Sequence, residues 1–126
     1  MARVIDVPPG LVTINVEGVD DGAGVFFNGA EVLHVNYRQS NSIEQEFTQG
    51  EVLTIRFEVY NLTGGPWQAH FTVNAAGSRI YDAFPRGWTF PGWNVAFSDE
   101  FVIRMVSSRQ AASAYKLMEL EEVAPL

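Results

Sequence analysis

Leu53-Thr-Ile-Arg-Phe-Glu-Val-Tyr60 is the stretch on which the fold turns. Leu53, Ile55, Phe57 and Val59 alternate without a slip against Thr54, Arg56, Glu58 and Tyr60. A period of two is that of a strand with one face in the core and one in water, the pattern of antiparallel sheets. Two further segments carry it. In Leu11-Val-Thr-Ile-Asn-Val-Glu17 the apolar set is Val12, Ile14 and Val16, and in Trp67-Gln-Ala-His-Phe-Thr-Val-Asn74 it is Trp67, Ala69, Phe71 and Val73.

Working outward, turn chemistry separates these strands from their neighbours. Val25-Phe-Phe27 runs into Asn28-Gly29, a strong hairpin signal because both central residues of a type I′ turn need positive φ. Ala30 to Val35 is therefore expected to pair back. Gly18 to Gly24 reads as a turn-rich loop, Gln49-Gly50 as a hairpin between Ser42–Thr48 and Glu51–Tyr60, and Ala75 to Ser78 as the turn before Arg79–Asp82. Residues 83 to 94 hold two prolines and two glycines and read as a long aromatic loop, since proline removes a ladder donor. Val95–Phe97 and Phe101–Val106 read as strands about Ser98-Asp-Glu100.

Ser107 to Leu126 supports two readings. Helix formers such as Ala111, Ala112, Leu117 and Met118, with a capping pair at Ser107 and Gln110, favour a helix. Arg109 at its start and Glu119, Glu121 and Glu122 at its end oppose the dipole, so a closing strand over Tyr115–Val123 is the alternative. Eight or nine short strands in 126 residues predict one domain over 1–126, an all-β antiparallel sandwich or jelly roll closed by a C-terminal helix or strand.

Hydrophobic residues make up 47% of the chain and charged ones 18%, below the roughly 25% of an average globular protein. The surface is then built from Ser, Thr, Asn, Gln and Gly, as on many extracellular and virion proteins. The net charge of −7, with Lys116 as the single lysine and seven scattered arginines, argues against nucleic acid and anionic membrane as partners. No run approaches the roughly 18 apolar residues of a membrane span. Met1 to Gly10 lacks the apolar segment of a secretory signal, so the expectation is cytoplasmic synthesis with an extracellular or virion destination, or a mature chain whose signal was removed. The absence of cysteine removes disulfides, thiolate metal sites and thiol nucleophiles.

Catalytic parts are scarce. His34 and His70 are the only histidines, and no Gly-x-Ser-x-Gly elbow presents a serine, so a small β-sandwich enzyme would depend on one of these imidazoles. The aromatic loop is more suggestive. Trp88 and Trp93, with Arg86 and Asn94, set flat apolar rings beside hydrogen-bonding groups, the composition of a sugar platform. Asp82, Trp67 and His70 complete the candidate ligand-binding set. The competing expectation is that these rings plug the end of the sandwich. Asp20 and Asp21, next to Gly22, are the candidate Ca²⁺ ligands, although turn chemistry alone accounts for them.

Val19-Asp-Asp-Gly-Ala-Gly-Val-Phe-Phe-Asn-Gly-Ala-Glu-Val32, Phe47-Thr-Gln-Gly-Glu-Val52, Phe57-Glu-Val-Tyr-Asn61, Ile80-Tyr-Asp82 and Pro91-Gly-Trp93 together resemble galactose-binding-like jelly rolls over about residues 19 to 97. The resemblance implies an antiparallel jelly roll with a glycan site in loops at one end and a structural Ca²⁺, here carried by Asp20 and Asp21, with no further acidic ligand evident nearby. Three functions are thus expected to compete. The first is a carbohydrate-binding or adhesion module meeting a glycan or cell-surface polysaccharide. The others are a structural protein of a phage-like virion acting as a symmetric homo-oligomer, and an enzyme using His34 or His70.

Overall fold

The computed structural model describes residues 3–91 and 95–107 and shows an all-β sandwich. Among the described residues ten strands follow in order: β1 (Arg3–Val7), β2 (Gly10–Asp20), β3 (Gly22–Phe27), β4 (Ala30–Asn36), β5 (Asn41–Phe47), β6 (Val52–Tyr60), β7 (Gly65–Ala75), β8 (Ser78–Ala83), β9 (Arg86–Thr89) and β10 (Val95–Met105). The first sheet is ordered β1-β10-β6-β3-β4 and the second β5-β2-β7-β8, with β9 also paired to β7. β1 runs parallel to β10, and the other pairings are antiparallel.

The alternating strands bury the predicted faces. Leu53, Ile55, Phe57 and Val59 of β6, Val12, Ile14 and Val16 of β2, and Ala69, Phe71 and Val73 of β7 are all buried. Phe57 and Phe101 from the first sheet meet Phe71 and Tyr81 from the second. Phe57 lies 4.5 Å from Phe71 and 5.2 Å from Tyr81 between ring centroids, and Tyr81 lies 4.7 Å from Phe101. Each such ring contributes about 1.5–3 kcal/mol by leaving water, so this seam is one of the ties between the sheets.

The Asn28-Gly29 hairpin forms as expected: the two residues adopt φ of 51° and 86°, and β3 pairs with β4. The hairpin at Ala75–Ser78 forms as well, joining β7 to β8.

Four expectations are corrected, and one strand appears that the sequence did not announce. Gln49-Gly50 is a crossover, because β5 pairs with β2 in one sheet and β6 lies in the other. Backbone bonds from Gly50 N to Met105 O (2.9 Å) and from Met105 N to Glu51 O (2.9 Å) hold this loop against the first sheet, which carries the chain across. Residues 83 to 94 are not all loop, because β9 pairs with the first half of β7. Pro85 and Pro91 bracket β9 instead of interrupting it. Ser98-Asp-Glu100 is no turn, and β10 runs through it with one irregularity between Val95 and Phe97. Gly18 to Gly24 is mostly strand: Gly18 (φ 59°) sits in an irregularity that lets β2 continue to Asp20, with Asp21 (φ 72°) as the link to β3. Finally, β1 had no alternation to announce it, yet Ile5 and Val7 are buried beside β10. The helix-or-strand question at 107–123 falls, from residue 108 on, outside the described residues.

Candidate functional site

The second sheet turns its outer face to solvent, and most of the predicted ligand-binding residues share that face. Directly paired residues lie on the same side of a sheet, so the register can be read as rows crossing the strands. One row is Asp20–Gln68–Arg86, the next Glu17–His70, and the next Ser42–Asn15–Thr72–Asp82. Beyond Gln68, toward one end of the sandwich, Pro66 pairs with Trp88. Four expected residues, His70, Asp82, Arg86 and Trp88, therefore converge although they lie on three strands.

Their side chains are linked. His70 Nε2 donates to Asp82 Oδ1 at 2.6 Å, because a carboxylate can only accept. Arg79 meets the other oxygen of Asp82 at 3.5 Å. The His70 ring lies 5.3 Å from that of Phe84, and the Arg86 guanidinium stands over the same Phe84 ring, 5.1 Å from its centroid. Gln68 is held by a 3.0 Å bond from its Nε2 to Gly18 O. At the far end Trp88 and Phe90 pack edge to face at 4.9 Å and are 60% and 65% exposed, so their rings are offered to solvent.

Trp67 answers the question of plug against platform the other way. Its position in the alternation of β7 turns it to the core side, where it packs against the buried cluster and over Gly87. A Cβ on Gly87 would come within 2.8 Å of the indole, so the glycine makes room for the ring. Asn61, fully buried, closes the same end from inside by donating to Gly65 O (2.8 Å) and Thr89 Oγ1 (2.6 Å). The indole plugs the sandwich while Trp88 stands outside it. Trp93 and Asn94 lie outside the described residues.

Asp21 is occupied with the backbone. Its Oδ2 accepts from Leu62 N at 2.8 Å and from Thr63 N and Oγ1 at 3.3 Å, pinning the loop after β6. Asp20 instead pairs in register with Gln68, in the row that reaches Arg86. Among the described residues no group of three or more His, Asp or Glu side chains gathers around a common point that could hold a metal.

The second histidine lies on the opposite face of the molecule. His34 Nδ1 is 3.3 Å from Glu31 Oε2, and its ring stacks on Tyr60 at 5.9 Å. Burial pushes the Tyr60 phenol up, with the hydrogen bond to Glu58 (3.0 Å) adding to it. Among the described residues neither imidazole is hydrogen-bonded to a serine or threonine hydroxyl.

Sequence reasoning did not single out Asn15, Glu17, Ser42, Gln68 and Thr72. Their signal was present as the polar halves of the two alternating segments, Thr13, Asn15 and Glu17 against Gln68, His70, Thr72 and Asn74. Beside Asn15 the surface dips into an open hollow of about 190 Å³ lined by Asn15, Glu17, Ser40, Asn41 and Ser42. Comparison of the chain with protein-family models, with curated proteins and with solved structures finds no match.

Proposed function

We propose that this domain is a non-catalytic carbohydrate-binding or cell-surface adhesion module whose binding surface is the outer face of the second sheet. The observation that carries the reading is the juxtaposition of the exposed Trp88–Phe90 pair with the hydrogen-bonding rows of Arg86, Gln68, His70 and Asp82. An indole face stacks on the C–H face of a sugar ring, while planar N–H donors donate to its hydroxyl oxygens and carboxylates accept from its hydroxyls. The resemblance to galactose-binding-like domains supports the same class of ligand. Titration with neutral polysaccharides is expected to shift or quench tryptophan fluorescence, and Trp88→Ala to weaken binding at least tenfold without changing the melting temperature. Silence across a panel of galactan, xylan, mannan and β-glucan, and across a glycan array, would end this reading.

One observation favours a second reading, a structural assembly protein. Leu62, Trp88, Phe90 and Val95 are exposed apolar residues on segments that meet at one end of the sandwich, and exposed apolar patches mark protein contacts. A stable trimer or ring in solution, with Trp88 shielded from quencher, would favour it; a monomer would count against it.

A further inference from the structure

The proposed surface does not end at the aromatic pair. The rows continue past His70 to Asn15 and Ser42, and there the hollow opens. Resting on the carbohydrate-binding reading, we infer that the ligand is an extended, uncharged polysaccharide chain lying along the outer face of the second sheet, with one sugar on Trp88 and another in the Asn15–Ser42 hollow.

Length is the first argument. Pro66, the partner of Trp88, is four residues along β7 from His70 and six from Thr72, the partners of Glu17 and Asn15. At a rise of about 3.3 Å per residue and about 4.8 Å between strands, the hollow and Trp88 are about 16–22 Å apart. Several linked pyranose rings span that gap, whereas a single ring leaves one end unused. The residues between the two ends, Gln68 and His70, are polar and share the same face, with Thr72 buried beneath Asn15 and Asp82.

Chemistry is the second. The hollow is lined by two amides, two hydroxyls and the Glu17 carboxylate, with no Lys or Arg among its described lining residues. Asn41 Oδ1 already accepts from Ser42 N at 2.8 Å, which fixes that amide and leaves its NH₂ to donate outward. Such a set trades hydrogen bonds with hydroxyls and repels a carboxylate or sulfate. Along the path Asp20 adds to the repulsion, while Asp82 is paired with His70 and Arg79, and Arg86 lies toward the Trp88 end. Uronic-acid and sulfated chains are thereby disfavoured, in keeping with the net charge of −7.

The test uses the full chain and whichever neutral polysaccharide binds best in the panel above, cut into a di- to hexasaccharide series, with polygalacturonate as the anionic comparison. Calorimetry is expected to show affinity rising at least tenfold from disaccharide to hexasaccharide. Asn15→Ala should lower hexasaccharide affinity several-fold and leave the disaccharide, seated on Trp88, unchanged. Trp88→Ala should weaken both. Equal affinity along the series, no effect of Asn15→Ala on the hexasaccharide, or tighter binding of polygalacturonate would overturn the inference while the carbohydrate reading stands. Failure of every neutral polysaccharide to bind would remove both.

Discussion

Tyr81 ties the two sheets by a polar contact as well as by packing. Its hydroxyl, carried on β8, donates to Asp99 Oδ2 on β10 at 2.7 Å, and Arg3 of β1 pairs with the same carboxylate. Burial, then the bond to Asp99, raises the phenol above its ordinary value of 10.0. A raised folded-state pKa contributes stability that is whole below the unfolded value and is lost as pH climbs past it. Urea denaturation is therefore expected to show stability falling above about pH 10, less steeply in Tyr81→Phe, with the remainder from Tyr60. At neutral pH Tyr81→Phe should cost about 1–2 kcal/mol, since Asp99 keeps Arg3. An unchanged alkaline slope in the variant would remove the assignment to Tyr81. Gly87 makes a second residue-scale case. Adding a methyl there forces the Trp67 indole to move, so Gly87→Ala is expected to cost about 1–3 kcal/mol and to shift the fluorescence of Trp67. The sequence showed a glycine in an aromatic segment, and only the pairing of Gly87 with Trp67 shows what it is for.

At the scale of elements, legibility followed regularity. β2, β6 and β7 carry long alternations and were readable because one face of each meets the opposite sheet. β9 was hidden because four residues between two prolines offer too little pattern, and its pairing with β7 is supplied by a strand twenty residues earlier. The same reasoning predicts dynamics. β6 is paired on both sides by β10 and β3, whereas β9 is short and, among the described residues, paired along β7 alone. Amide exchange is expected to be slowest in β6 and in the centre of β7, and fastest in β9 and the edge strands β1, β4, β5 and β8. Protection of β9 equal to that of β6, measured by mass spectrometry, would contradict this and point to cover from another part of the chain. The misread Gln49-Gly50 crossover has a similar origin. Turn residues signal a change of direction, but whether the next strand pairs back or changes sheets depends on partners such as Met105.

For the whole molecule, charge and core set the behaviour. With net charge −7 and no basic cluster in the sequence, the protein is expected to pass through a heparin column at physiological salt, and retention would contradict the electrostatic argument. Phe57 lies at the centre of the aromatic seam, stacked or tilted against Phe71, Tyr81 and Phe101. Phe57→Ala should cost about 3–5 kcal/mol, a large part of the 5–15 kcal/mol typical of a domain. Thermal melting would show this as a sharp fall in midpoint.

The amino-acid sequence by itself determined the class of fold and the inward faces of β2, β6 and β7, because a two-residue period states which side chains face inward whatever the neighbouring strand is. It also supplied Trp88, Arg86, Asp82 and His70 as chemistry worth following. Tertiary structure alone decided that these four share one face with Asn15 and Ser42, that Trp67 turns inward, and that His34 stands on the far side. The physical reason is that alternation is local, whereas the residue opposite on the next strand is chosen by sheet order and register, which arise from packing contacts distant in the chain.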